Sequence, residues 1–400
     1  FVIANGATYS GLLDGQQGHN ILDFSAYSTA RNVVLNGLGT ISGFTGTEIS
    51  LTLGFTNINQ IIGSAASSGG GGASGRLAGD SLTGRNAPAT FTLDDTATYQ
   101  SGGRSLTFSG FETLNGGSAN DTFEITGNPT YNLTGGRGDD SFILHNGAVL
   151  SGDIYGGTGN DTVTFMADAA VQGDIDGGSG SNTLDLSGYT ATIAAVLTGL
   201  GDITGFKGTI DTLVDCLTGI FTNITTLQGG PAADNSLTGL DDNATWQIGT
   251  ENQYITGQNT DRGSLTFSHF AGLIGGTGND IFRFGSGAAH EGSLDGKEGI
   301  NTLHYSAYNA LSRIILTGAG DITGFAGSEN GLSGSFTNIL NFIGSNGIGD
   351  TLTGMDEAST WNLNGGNVTY DNNTFDNIIL TLTGIEILTG SNQGDIFNIR

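Results

Sequence analysis

Apolar residues recur along this chain on two scales. Locally they alternate with polar ones, as in Phe123-Glu124-Ile125 and Val163-Thr164-Phe165, the period-two pattern of a strand with one face turned inward. On the longer scale, Phe123, Phe142, Val163 and Leu184 each follow a glycine-rich turn, and Leu114, Leu133, Ile154 and Ile175 each stand two residues before the turn's first glycine. The turns begin at positions 116, 135, 156 and 177, spacings of 19, 21 and 21 residues. If one unit is one coil, each series becomes a column of stacked apolar side chains. Gly-Gly and Asn-Asp pairs supply corners at positive φ between strands. No stretch of a dozen residues carries a helical stripe with caps. The predicted fold is all-β: a parallel β-solenoid of about 20 residues per coil, with successive coils about 4.8 Å apart.

The pattern repeats at a larger period. GLLDGQQGHNILDFSAY begins at Gly11, GDIDGGSGSNTLDLSGY at Gly173 and GSLDGKEGINTLHYSAY at Gly292. Each is followed by the same series: GTISGFTG, GDITGFKG or GDITGFAG, then FTNINQIIG, FTNITTLQG or FTNILNFIG, then DSLTG, NSLTG or DTLTG. The expected organisation is one continuous solenoid. It comprises a first long repeat over 1–127, inserted short coils over 128–172, a second long repeat over 173–291 and a third over 292–400. Phe1 and Phe397 fall at the phase of Phe282, mid-unit, which predicts that their coils pair with further β-structure. The stretch Ser67–Gly75 (SSGGGGASG) predicts a flexible loop bulging from the coil.

Composition narrows the function classes. The 400 residues include 71 Gly and 3 Pro, and the formal net charge is -27. Such a surface repels phosphate backbones and anionic lipid, which disfavours nucleic acid and membrane surfaces and leaves cations or neutral glycans as partners. No run of 18 apolar residues predicts a membrane span. The single cysteine, Cys216, excludes an intrachain disulfide. The five histidines occupy non-equivalent positions without ligand spacing, and the arginines are scattered rather than clustered as a uronate-cleaving β-helix needs. No G-x-S-x-G elbow, Walker loop or H-E-x-x-H helix is present, so the expectation is a non-catalytic chain.

The turns GGRGDDSFI (135–143) and GGTGNDTVT (156–164) fit the nonapeptide G-G-x-G-x-D-x-U-x. The short units therefore resemble the calcium-binding turns of repeats-in-toxin β-rolls. The long units, with NTLDLSGY and LTFSGFE, are similar to long repeats of giant bacterial surface proteins of haemagglutinin-like type. The resemblance covers essentially the whole chain. It implies a structural or adhesive segment of an extracellular bacterial surface protein or filament, whose partners are other copies of itself or flanking repeats. The alternatives are a calcium-dependent secreted module and a β-helix that binds or cleaves glycans.

Calcium takes six to eight hard oxygens from carboxylates and carbonyls. The candidate residues are Asp121, Asp140 and Asp161, aided by Asn120, Asp139 and Asn160, with Asp280 in a single later turn. Departures from the motif stand beside them: Ala119 replaces a glycine, and Asn20, Asn182 and Asn301 stand where the nonapeptide has Asp. The opposite edge, SGDIYGG or NPTYNLTGG, lacks the tandem motif. The competing reading is that these Asx side chains bond turns or form stacked ladders.

Overall fold

The alternation read from the sequence is the burial pattern of the strands. Thr122–Ile125, Ser141–Leu144 and Thr162–Phe165 each bury every second side chain. The computed structural model describes residues 1–65, 79–212, 216–256, 263–364, 367–373 and 378–400, and the expected loop at 67–75 lies outside them. Among the described residues there is no helix, and the chain is an all-β solenoid dominated by parallel pairing. It forms two compact units, one of Phe1–Ala191 with Gly201–Pro231 and one of Thr192–Leu200 with Ala232–Arg400.

In the first unit both predicted columns are present. Phe123 is in register with Phe142, Phe142 with Val163 and Val163 with Leu184. On the facing sheet Leu114, Leu133, Ile154 and Ile175 are in register in the same way. All eight are buried. The rings of Phe91, Phe123 and Phe142 stack nearly parallel, with centroids 4.7 and 4.9 Å apart, the spacing that one strand per coil imposes. A short third sheet, Val149–Leu150 with Ala170–Val171, closes the side between them.

One strand per sheet in each coil holds only for the short units; the long repeats are built differently. In the first, Leu13–Asp14 pairs in parallel with Leu51–Ile58. That strand runs antiparallel to Phe44–Glu48, which runs antiparallel to Asn32–Leu38. Asn32–Leu38 then rejoins the parallel ladder at Ser81–Thr83. The other sheet does the same with Arg104–Ser109, Thr98–Ser101 and Ala89–Leu93, ending in parallel with Thr122–Ile125. Three antiparallel strands restore the starting direction, so the solenoid continues without reversal. In the second unit, Arg313–Ala319, Phe325–Glu329 and Phe336–Ile339 form one such triplet, and Thr360–Asn364, Asn367–Asp371 and Leu380–Thr383 another.

The local cause of one hairpin is plain. Gly102 and Gly103, at φ 57° and 74°, form a two-residue loop in which Ser101 pairs with Arg104. This positive-φ pair matches the right-handed twist of the flanking strands. Each triplet of this sheet buries a tyrosine (Tyr99, Tyr254 or Tyr370), whose Oη accepts the N–H of the residue after L-T-G: Arg85 at 2.8 Å, Leu240 at 2.7 Å or Met355 at 3.0 Å.

Phe123 lies between two stacked rings, so Phe123→Ala opens a cavity that the rigid ladder cannot close. Urea unfolding should show a loss of about 3–5 kcal/mol. Ile49→Ala, at a residue 87% exposed, should stay within about 0.5 kcal/mol of the parent chain.

Candidate functional site

The turns at 116, 135 and 156 each place two consecutive Asx residues on opposite sides of the backbone. The first points outward and accepts from the coil that follows: Asn120 Oδ1 takes the Asp139 N–H at 2.9 Å, Asp139 Oδ1 the Asn160 N–H at 2.7 Å, and Asn160 Oδ1 the Ser181 N–H at 2.8 Å. The second points inward and accepts from the coil before. The N–H of Asp121 donates to Asp140 Oδ1 at 2.8 Å, that of Asp140 to Asp161 Oδ1 at 2.8 Å, and that of Asp161 to Asn182 Oδ1 at 3.0 Å. The turn is thus held by two ladders that run in opposite senses.

The edge without the nonapeptide has a third ladder. Asn132 Oδ1 accepts the Asp153 N–H at 3.1 Å, Asp153 Oδ1 the Asp174 N–H at 3.0 Å, and Asp174 Oδ1 the Ile220 N–H at 2.9 Å. These aspartates were not singled out from the sequence. Their recurrence at 21-residue spacing was the available signal.

The structure therefore brings Asp121, Asp140 and Asp161 into one buried column and Asn120, Asp139 and Asn160 into an exposed one. Asp280 lies in the second unit with a single similar neighbour, its N–H donating to Asn301 Oδ1 at 2.9 Å. In both columns one oxygen of each bridging side chain, Oδ1, is taken by a neighbouring N–H. Among the described residues no group of three or more His, Cys, Asp or Glu side chains is placed to hold a metal ion.

The asparagines that break the motif have a specific task. Asn20, Asn182 and Asn301 end their columns where the next element offers a carbonyl. Their Nδ2 donates to Asn57 O at 2.9 Å, Asn223 O at 3.0 Å and Asn338 O at 3.1 Å. Those acceptors belong to the asparagine of F-T-N, which sits at φ 56°, 57° and 61°, a left-handed conformation that Asn tolerates.

The same F-T-N asparagine clamps the neighbouring hairpin loop. Asn57 Oδ1 accepts the N–H of Ile41 at 2.8 Å and of Ser42 at 3.1 Å. Asn223 holds Ile203 and Thr204 at 2.8 and 3.2 Å, and Asn338 holds Ile322 and Thr323 at 2.8 and 3.1 Å. Their Nδ2 groups donate to Asp14, Asp176 and Asp295 at 2.7, 2.6 and 2.6 Å. The Asn57 amide, together with the Gln16 N–H, lowers the Asp14 carboxyl below the ordinary aspartate range. A side chain on Gly39, Gly201 or Gly320 would put its Cβ within 2.1 Å of a loop carbonyl, which fixes glycine at the start of each loop. The product is an isoleucine at the loop tip, 41%, 52% and 53% exposed at Ile41, Ile203 and Ile322.

The hairpins also flank an open groove in each unit. Ala89, Thr90, Asn120 and Thr122 line one, and Ala244, Thr245, Asn279 and Ile281 line its counterpart. No protein-family model matches this chain, and no curated protein matches it.

Asn223 is buried and serves two N–H donors and one carboxylate. Asn223→Gly keeps the left-handed backbone and removes only the side chain. Chemical denaturation should register a loss of about 1–3 kcal/mol, the cost of buried polar groups left without partners.

Proposed function

We propose that this chain is a structural and adhesive segment of an extracellular bacterial surface protein or filament and carries no catalytic activity. The observation that carries the reading is the apolar tip presented three times. Ile41, Ile203 and Ile322 stand at equivalent places in the three long repeats, each exposed and each fixed by the same Asp–Asn clamp. Holding an exposed β-branched residue rigid leaves little side-chain entropy to lose on contact, a property of preorganised binding surfaces. Repetition makes the contact multivalent, so weak individual tips can add up to lasting attachment. The partner proposed is another copy of this chain or flanking repeats of the same protein, with cations or neutral glycans on the acidic outer faces. The net charge of -27 argues against nucleic acid.

The test replaces all three tips together, Ile41→Ser, Ile203→Ser and Ile322→Ser. The circular dichroism spectrum and Tm should be unchanged, since the clamps use backbone N–H groups. Light scattering of the parent chain should show mass rising with concentration, and the triple variant should remain monomeric. Identical behaviour of the two proteins, or a parent chain that stays monomeric throughout, would remove the basis for the proposal.

A further inference from the structure

The inner column poses a chemical problem. Asp121, Asp140 and Asp161 are each only 1% exposed, and in each of them Oδ2 lacks a hydrogen-bond partner. What Oδ2 faces can be read from the asparagines that end the columns. A Cβ placed on Gly177 would stand 2.6 Å from Asn182 Nδ2 and 2.7 Å from Asn223 O, the two atoms that form the amide–carbonyl hydrogen bond of 3.0 Å. Gly296 sees Asn301 Nδ2 and Asn338 O in the same way, both at 2.5 Å. At the aspartates the arrangement is preserved with oxygen in place of nitrogen. The corresponding point on Gly116 lies 2.5 Å from Asp121 Oδ2 and 2.5 Å from Gly135 O. On Gly135 it lies 2.2 Å from Asp140 Oδ2 and 2.6 Å from Gly156 O, and on Gly156 2.4 Å from Asp161 Oδ2 and 2.6 Å from Gly177 O. An ionised carboxylate here would set acceptor against acceptor in a buried site.

We propose that Asp121, Asp140 and Asp161 are held as neutral carboxylic acids, each donating its O–H to the glycine carbonyl of the following coil: Gly135, Gly156 and Gly177 in turn. The protonated acid then does what the asparagine amide does at the column's end, and the short coils form a segment locked by protons.

The surroundings agree. Burial pushes Asp121 and Asp140 up to about 7 and Asp161 to about 6, against backbone N–H groups that pull the other way. The charged groups that act on them are anionic: Asp139 from the outer column on Asp140 and Asp161, and the neighbouring aspartates of the column on Asp140. The Tyr99 phenol faces Asp121, and Arg85 acts on that phenol. In the unfolded chain an aspartate ionises near pH 4. A native state that keeps its proton longer has its full stability below about pH 4 and loses it as pH rises toward about 7.

The experiment compares the full chain with D121N/D140N/D161N, in which each acid becomes its amide isostere. Thermal unfolding is followed from about pH 4 to about pH 8.5. Near pH 4 the two Tm values should coincide. Above it the parent should fall while the variant holds, so that the gap opens between about pH 4 and 7 and then stays constant. Repulsion among the other acids is common to both proteins and cancels in the difference. Infrared spectra at pH 6 should show the C=O stretch of protonated carboxyls, weaker in the single variant D140N, which keeps Asp280 and serves even if the triple variant fails to fold. A pH-independent gap, a variant less stable than the parent at pH 8, or no protonated carboxyl band would each overturn the proposal. So would millimolar calcium chloride raising the Tm of the parent and not of the variant, since that requires ionised carboxylates holding the ion.

Discussion

Stacking like over like, one coil every 4.8 Å or so, is the constraint on which this molecule rests. Once the backbone of each coil pairs in parallel with the next, every side chain sits directly above its counterpart. Apolar positions become columns, as Phe91, Phe123 and Phe142 do. Polar positions must find partners along the stack or face water. Asp and Asn are suited to the corners because their carbonyl oxygen is short enough to reach a backbone N–H one coil away. Three ladders of this kind hold the short coils, and they supply partners for turn N–H groups that no sheet pairs. A single ladder bond contributes about 0.5–1.5 kcal/mol net, so the strength of the segment lies in repetition.

The long repeats satisfy the same constraint while spending more chain. Folding back twice inserts three antiparallel strands and returns the chain to its original direction, so the ladder beyond is undisturbed. The insertion creates what a plain coil lacks: a hairpin loop outside the stack. The clamp linking Asp14, Asn57 and the Ile41 loop fixes that loop to the coil beneath it. The same three-part clamp in each repeat ties the apolar tip, the surface feature most suited to contact, to the internal architecture.

Much of this was legible in the sequence, and what was hidden has physical causes. The columns of Phe123 and Leu114 followed from spacing alone, because parallel register converts sequence period into spatial alignment. The antiparallel triplets were not foreseen. Their strands show the same alternation as parallel ones, and the Gly102-Gly103 pair that closes one hairpin is not distinctive in a chain of 71 glycines. The nonapeptide was visible, but its chemistry depends on what lies one coil away. Asn182 reads as a defect in a calcium motif, whereas beside the Asn223 carbonyl it is the residue that ends the column correctly. The role of Asn57, Asn223 and Asn338 was hidden for a related reason. A repeated F-T-N marks an important position without revealing that its partner is a loop 15 to 20 residues earlier in the chain.

Asx side chains from adjacent coils, rather than the turns themselves, hold the corners together. Native-state amide hydrogen exchange on the full chain addresses it directly. The turn N–H groups of Asp121, Asp140, Asp161, Asp139 and Asn160 donate only to side chains of neighbouring coils. They should exchange as slowly as the strand amides of Thr122–Ile125 and Ser141–Leu144, opening only when the stack itself opens. If these turn amides exchange at the rate of exposed loops while the strands stay protected, the ladders do not hold the coils and the account fails.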